Sequence, residues 1–522
     1  MTMMDIKKKN IEANNKRDGE SFYTEKEIFK QFINKLGKDI LYYFPSLMIP
    51  AFVSIANVAI FTRIFNPETY GIYALVIATA AIFIALFSQW IQASILRFFA
   101  EFKKREEQAE FNKNLIIILF LISGILIMIF IFLYPLINSA FIKYKRFYLY
   151  TVIFIIFSIL FENLCTLFQA DLRSSGYSKY KIINSITRLF FSLAFIFFIA
   201  RDILGLIVGS ILSCAILFYP MVKELNLINY YRKAKKGFSL SFVKKFASFG
   251  FPMLGWFAGS EILNLSDRFI LEHFKGSTQV GIYSANYSLL GRGIGLIFSP
   301  ILLAAHPLIL NVWEKSKNKI YIQKLITSIS RYFFLMAIPI IVYISFLSKS
   351  IAFIFLGKSY HEGYIIIPVI AIAFALWHLS LYAHKTLEIR KKTIVMFYSI
   401  IVCAITNILL NLIFIPLYGY IGAAITTLIS YLIYLIIIYF ATKKDIRLIF
   451  PWKSIFNILL ASTTLTIYLW ILKLLMQDII NIVYLILLII SIFIYIVVLY
   501  LIGEIRKYEI EFFKNLFLTK LS

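Results

Sequence analysis

Three cysteines occur in 522 residues, Cys165, Cys214 and Cys403, and each lies inside an apolar stretch. That scarcity excludes a disulfide framework and a cysteine-based metal centre. Acidic side chains are also few, 27 against 53 Lys and Arg, which leaves a net charge of +26. Charged residues make up only 15% of the chain, against 61% hydrophobic residues and a mean hydropathy of +0.82, so a soluble domain is excluded. No Walker A loop, GxSxG elbow or helical HExxH is present, which removes ATP-driven transport, serine hydrolysis and zinc chemistry of those kinds. His306, His378 and His384 share no metal-ligand spacing. The basic run Lys7, Lys8, Lys9 is followed by polar sequence, so it does not read as a secretory signal. Nucleic-acid binding is not expected either, because the basic residues sit between apolar spans without a recognition helix or stacking motif.

What the chain has is a long succession of apolar segments of spanning length. Pro, Gly and charged breaks divide it into about fourteen membrane helices, centred from Ala51 to Ser491. Lys and Arg crowd every second gap. Ten (Arg63, Lys143, Lys145, Arg146, Arg201, Arg268, Lys275, Lys349, Lys358 and Lys473) lie on one side, Arg188 and Arg292 fall within spans, and the remaining 41 lie on the other side or in the tails. By the positive-inside rule both termini face the cytoplasm, in a multi-pass protein of the inner membrane. Before the first span, Thr24 and Glu27 have capping-box spacing. Ile28, Phe29, Phe32, Ile33 and Leu36 form one apolar face with Lys26, Lys30, Lys35 and Lys38 around it, so an amphipathic helix is expected on anionic lipids of the cytoplasmic leaflet.

An internal repeat organises the spans. Gly71-Ile72-Tyr73 and Gly281-Ile282-Tyr283 are 210 residues apart, Leu172-Arg173 and Ile389-Arg390 are 217 apart, and the glycine strings from Gly205 and Gly419 are 214 apart. Three landmarks in one order at nearly one offset argue for two six-helix halves of the same orientation. The expected architecture is therefore all-α, with two six-helix bundles around a central cavity and two additional C-terminal helices. Its parts are a cytoplasmic extension (1–38), an N-terminal bundle (39–222), a basic cytoplasmic linker (223–247), a C-terminal bundle (248–442), the extra pair (443–503) and a cytoplasmic tail (504–522).

The strings "TRIFNPETYGIYALV" from Thr62, "LSDRFILEHF" from Leu265, "VGIYSANYSLLGRG" from Val280 and "NLIFIPLYGYIGAAITTLIS" from Asn411 resemble the Wzx-type flippases of lipid-linked oligosaccharide. These form the polysaccharide-exporter branch of the multidrug/oligosaccharidyl-lipid/polysaccharide (MOP) superfamily. The similarity runs from about Ile40 to Gly503, and fourteen helices fit this branch better than the twelve usual in its drug-exporting relatives. The resemblance implies translocation of a polyprenyl-diphosphate-linked glycan from the inner to the outer leaflet by alternating access, in partnership with polysaccharide polymerase machinery. The long charged extension and the few acidic residues within spans depart from that pattern and leave the coupling ion, H+ or Na+, undefined; no other cofactor is expected.

Such a substrate joins a polyanion to a polar glycan and an apolar tail. Arg suits the diphosphate because its planar fork binds phosphate bidentately and stays ionised. Arg292, between Gly291 and Gly293 in the eighth span, and Arg188, two turns inside the fifth, are the first candidates, since a cation at that depth must face a cavity or a partner. Arg63 and Arg268, expected at the outer ends of the first and seventh spans, are further candidates for the diphosphate. Glu261, Asp267 and Glu162 are candidates for ion coupling; the alternative for Asp267 is an ion pair with Arg268. Gln89, Trp90, Gln92, Tyr283, Asn286 and Tyr287 offer amides and rings for sugar contacts. Pro45, Pro50, Pro252, Pro300, Pro307, Pro339 and Pro368 mark bends.

Two other readings are weighed. A small-molecule exporter of the same superfamily would share the fold, but the excess of in-span Arg favours an anionic cargo. A membrane glycan polymerase or ligase would carry a large external loop, and no outward gap here exceeds roughly twenty residues.

Overall fold

The computed structural model describes residues 45 and 47–510 apart from 141, 236, 317, 391, 444, 477–481 and 508. The N-terminal extension with its expected amphipathic helix, and the tail from 511, lie outside the described residues. Among the described residues the chain is helical throughout, with no strand.

Among the described residues, ten helices are long and apolar enough to cross a membrane. Two long helical stretches are each broken by a glycine in a conformation that a side chain rarely adopts, Gly276 at φ 79° and Gly419 at φ 57°. Dividing at those points gives fourteen long helices: α1 (Leu47–Ile64), α2 (Pro67–Lys104), α3 (Gln108–Ala140), α4 (Tyr148–Ala170), α5 (Ser174–Phe198), α6 (Leu204–Glu224), α7 (240–275), α8 (277–316), α9 (Lys319–Phe346), α10 (Ile367–Ile389), α11 (393–418), α12 (420–442), α13 (Trp452–Met476) and α14 (Ile482–Leu501). Helix α7 carries Glu261, Asp267 and Arg268, and α8 carries Arg292. Helix α7 begins at Leu240, inside the segment read as a linker, which also holds the short helix Leu227–Lys233.

Local chemistry sets the helix starts. Asn66 accepts the Thr69 amide at 2.9 Å and Pro67 follows it, a side-chain cap plus a pre-set φ that launch α2. Asp202, one residue before the cap of α6, accepts from the Leu204 amide at 2.9 Å. After the break at Gly419, Gln279 accepts from the Tyr420 amide and caps α12. The repeat landmarks thus fall at matching junctions, Gly205 in the first turn of α6 and Gly419 before α12, Leu172-Arg173 after α4 and Ile389-Arg390 at the end of α10.

The chain divides into two compact units. One comprises 41–300 and 339–442. Within it α4 is the interior helix of the first half, 72% of its apolar window buried, packed against α2, α3, α5 and α6. In the second half α10 packs along the α11–α12 pair, and Gly255 and Gly259 let α7 approach the side chains of Phe397 and Ile400 on α11.

The described residues of the other unit are those of 301–338 and 443–510. Here α13 packs on α14, and Tyr495 of α14 donates to the Leu335 carbonyl of α9. Arg331 of α9, 3% exposed, donates from Nε to Glu504 at 2.7 Å and from a terminal nitrogen to Glu509 at 2.6 Å. Asn457 and Tyr332 donate to the same carboxylates, so a buried cluster pins the segment after α14 to α9 and α13.

Candidate functional site

Inside the larger unit a cavity of about 500 Å³ opens among α1, α2, α5, α7 and α8. Polar groups reach it from every wall: Ser54 and Asn57 from α1, Tyr73 from α2, Lys181, Asn184 and Arg188 from α5, Glu261 and Arg268 from α7, and Ser284, Ser288 and Arg292 from α8. Lys181, Asn184 and Arg188 are spaced i, i+3, i+7, which places them on one face of α5. Four cations thus face one space with a single carboxylate, Glu261.

Each arginine is held differently. Arg188 donates to the Tyr73 hydroxyl at 3.1 Å, so the tyrosine of the first repeated Gly-Ile-Tyr orients it. Arg268 is tied to its own helix, donating to the Asn264 carbonyl at 2.7 Å and to Asp267 at 3.0 Å. Its guanidinium also lies 4.8 Å from the Tyr287 ring centroid and 5.6 Å from that of Tyr283, within cation–π range. Arg292 has no hydrogen-bond or ion-pair partner among the described residues and projects into the cavity. A cation at membrane depth is tolerable there because the space is polar and wettable.

A second chamber of about 310 Å³ adjoins the first and shares Asn184, Arg188 and Glu261 with it. Gln89, Gln92, Ser158, Glu162 and Ser210 line it with the rings of Phe154 and Phe161. Glu162 accepts from Lys181 at 2.7 Å.

The remaining sequence candidates are placed elsewhere. Arg63 sits at the exposed end of α1 and donates to the Ile354 carbonyl at 2.6 Å and to that of Phe355 at 3.2 Å, ending the short helix Ser348–Phe355. Arg268 was expected at a helix end like Arg63, but α7 continues to 275, and Arg268 is buried, 5% exposed, on the cavity wall. Asp267 does not line the cavity; it is buried behind it, bonded to Arg268 and to the Tyr283 hydroxyl. Trp90 stacks on Phe251 with centroids 5.0 Å apart. Tyr283, Asn286 and Tyr287 are buried in the second half, Asn286 donating to the Tyr360 carbonyl and Tyr287 sharing a hydrogen bond with Tyr431. Gln89 and Gln92 alone of the expected sugar contacts reach a chamber.

Contacts between the two halves lie at both ends of the cavity. At one end α2 crosses α8 at Gly71 and Gly281, the Gly357 amide donates to Thr62, and Tyr360 donates to the Phe65 carbonyl. At the other, the Trp90–Phe251 stack is joined by a bond from Ser94 to the Phe246 carbonyl and an ion pair of Lys245 with Glu101 at 3.0 Å.

Sequence inspection singled out Arg188 and Arg292 but passed over Lys181 and Arg331. The face of α5 was readable from the i, i+3, i+7 spacing. Arg331 had no comparable signal, because its partners Glu504 and Glu509 lie more than 170 residues away.

Two pseudo-equivalent helical halves thus enclose a polar, cation-rich cavity. Residues 36–313, just over half the chain, match the family described as "Polysaccharide biosynthesis protein", and the chain belongs to that family. Among solved structures it is similar to the lipid II flippase MurJ in an inward closed conformation, with a TM-score of 0.69 and 19% identity over 89% of this chain and 99% of that one. It is also similar to an inward-facing multidrug resistance MATE family transporter of the MOP superfamily, with a TM-score of 0.60 and 13% identity over 76% of this chain and 94% of that one. A MATE transporter of Vibrio cholerae gives a TM-score of 0.59 at 13% identity, over 80% and 98% of the two chains. No curated protein sequence matches the chain.

Proposed function

We propose that this protein is a flippase that carries a polyprenyl-diphosphate-linked oligosaccharide from the cytoplasmic to the outer leaflet of the inner membrane for surface polysaccharide assembly. The observation that carries the reading is the convergence of Arg188, Arg268 and Arg292 on one intramembrane cavity. Three guanidinium groups match a diphosphate in charge and in bidentate geometry. Arg188 comes from the first half and Arg268 and Arg292 from the second, so a bound diphosphate bridges the halves and its release lets them separate. That is the behaviour alternating access requires. The family match and the likeness to a lipid II flippase fold support the reading, and both termini then face the cytoplasm.

A small-molecule cation exporter is disfavoured by four cavity cations against one carboxylate. Energy enters through an H+ or Na+ gradient acting at Glu261 or Asp267, or through consumption of the product on the far side, and the polymerase machinery that consumes it is the expected functional partner. The test is transfer of a fluorescent polyprenyl-diphosphate oligosaccharide across vesicles containing the purified protein. Transfer above that of protein-free vesicles supports the proposal; no transfer under any ion gradient overturns it.

A further inference from the structure

Lys181 joins the two chambers. It lines the larger cavity on the face of α5 that carries Asn184 and Arg188, yet its ammonium donates to both carboxylate oxygens of Glu162 at 2.7 Å, and Glu162 of α4 lines the smaller chamber. The pair is open to a ligand, with the two side chains 24% and 37% exposed, whereas those of Arg268 and Asp267 are 6% and 1% exposed. An ion pair open to that degree contributes little net energy, because water screens the attraction. The rings of Phe161 and Tyr177 lie 5.6 and 5.9 Å from the ammonium, within cation–π range, and steady it whichever anion it meets.

Its place along the helix matters as well. Helix α5 begins at Ser174, Lys181 lies about two turns in, and Arg188 lies about two turns further, some ~10 Å along the axis. Two cations so spaced on one helix face are successive stations for a diphosphate. With both termini in the cytoplasm, α5 starts on that side, and Lys181 is met before Arg188.

Resting on the flippase reading above, we infer that Lys181 is a diphosphate contact on the entry side of Arg188, and that Glu162 is its placeholder, holding the ammonium when no substrate is bound and yielding it to the incoming phosphate. A carboxylate offers an ammonium two oxygens as a phosphate does, so one oxyanion replaces the other without moving the lysine. Lysine suits a station that the substrate must leave, since its ammonium is a point charge without the bidentate fork of arginine. The released Glu162 stays in the polar smaller chamber beside the amides of Gln89 and Gln92, so the exchange strands no charge in an apolar core.

The test is binding of polyprenyl diphosphate and of uncharged polyprenol to the purified full-length protein. Glu162→Gln is expected to bind the diphosphate at least about threefold tighter than wild type, because the competing anion is gone. Adding Lys181→Met to Glu162→Gln is expected to weaken that binding at least about threefold, although no ion pair is left to break. Polyprenol affinity should be the same in all three proteins. A structural ion pair predicts no gain in the first variant and no loss in the second, so either result overturns the proposal, as does a parallel change for polyprenol. Should Glu162→Gln not fold, Glu162→Asp keeps the charge but shortens the arm and is also expected to bind the diphosphate tighter than wild type; equal affinity there overturns the proposal. These failures leave the flippase reading standing, whereas a wild-type protein that binds no polyprenyl diphosphate overturns both.

Discussion

Gly71 and Gly281, the first residues of the two repeated Gly-Ile-Tyr strings, lie against each other where α2 crosses α8. A Cβ on Gly71 would fall 1.9 Å from the Ser277 carbonyl oxygen and 2.9 Å from the Gly281 amide nitrogen, and one on Gly281 would fall 1.9 Å from the Pro67 carbonyl oxygen. All of these are backbone atoms, which have no rotamer to yield, and small residues are what allow membrane helices to approach so closely.

Gly71→Leu and Gly281→Leu are therefore expected to lower thermal stability in detergent by at least the ~1–3 kcal/mol of an overpacked core. Gly124 has open space around its Cβ position, so Gly124→Ala should leave the melting temperature unchanged or raise it. Equal behaviour of the three variants in a fluorescence melt would contradict the crossing.

Asp267 and Arg268 form a buried pair, 1% and 5% exposed. Asp267→Ala strands the guanidinium and is expected to cost about 3–5 kcal/mol, as loss of one member of a buried pair does. The double variant Asp267→Ala/Arg268→Met should recover part of that loss. Chemical unfolding of the purified proteins checks both values.

Arg331 bridges two carboxylates that follow α14. Arg331→Ala leaves Glu504 and Glu509 buried and unpaired, at a cost of about 3–5 kcal/mol to the unit that contains them. The expected readout is faster tryptic cleavage at Arg506 and Lys507, with cleavage in the 225–239 segment unchanged. Identical cleavage rates at 506 and 507 in variant and wild type would contradict the latch.

Orientation is checked with reporter fusions. A fusion after Glu224 should report the cytoplasm and one after Lys358 the opposite side, as the distribution of Lys and Arg requires. Two reporters on the same side would contradict the helix order.

Much of the helical organisation was legible because membrane helices announce themselves by length and because glycine and proline punctuate them. Gly276 and Gly419, at positive φ, are breaks of that kind. Arg188 and Arg292 stood out as charges in apolar surroundings. What the sequence did not disclose was tertiary: that α7 runs seven residues beyond Arg268 and carries it into the cavity wall, that Asp267 turns away from that cavity toward Tyr283, and that Arg331 meets carboxylates far along the chain. Helix ends drawn from hydropathy shift by two turns where a helix is polar because it lines a cavity. Partner choice between distant helices leaves no periodic trace.

The account rests most heavily on Arg292, the cavity cation without a protein partner among the described residues. The direct measurement is the rate at which a fluorescent polyprenyl-diphosphate oligosaccharide crosses vesicles containing wild type, Arg292→Lys or Arg292→Ala at matched protein content and matched melting temperature. The expected order is wild type, then Arg292→Lys, then Arg292→Ala with transfer at least about tenfold slower, in keeping with the loss of a charge-assisted bidentate contact. Transfer by Arg292→Ala at the wild-type rate would contradict the assignment of this cavity to the diphosphate.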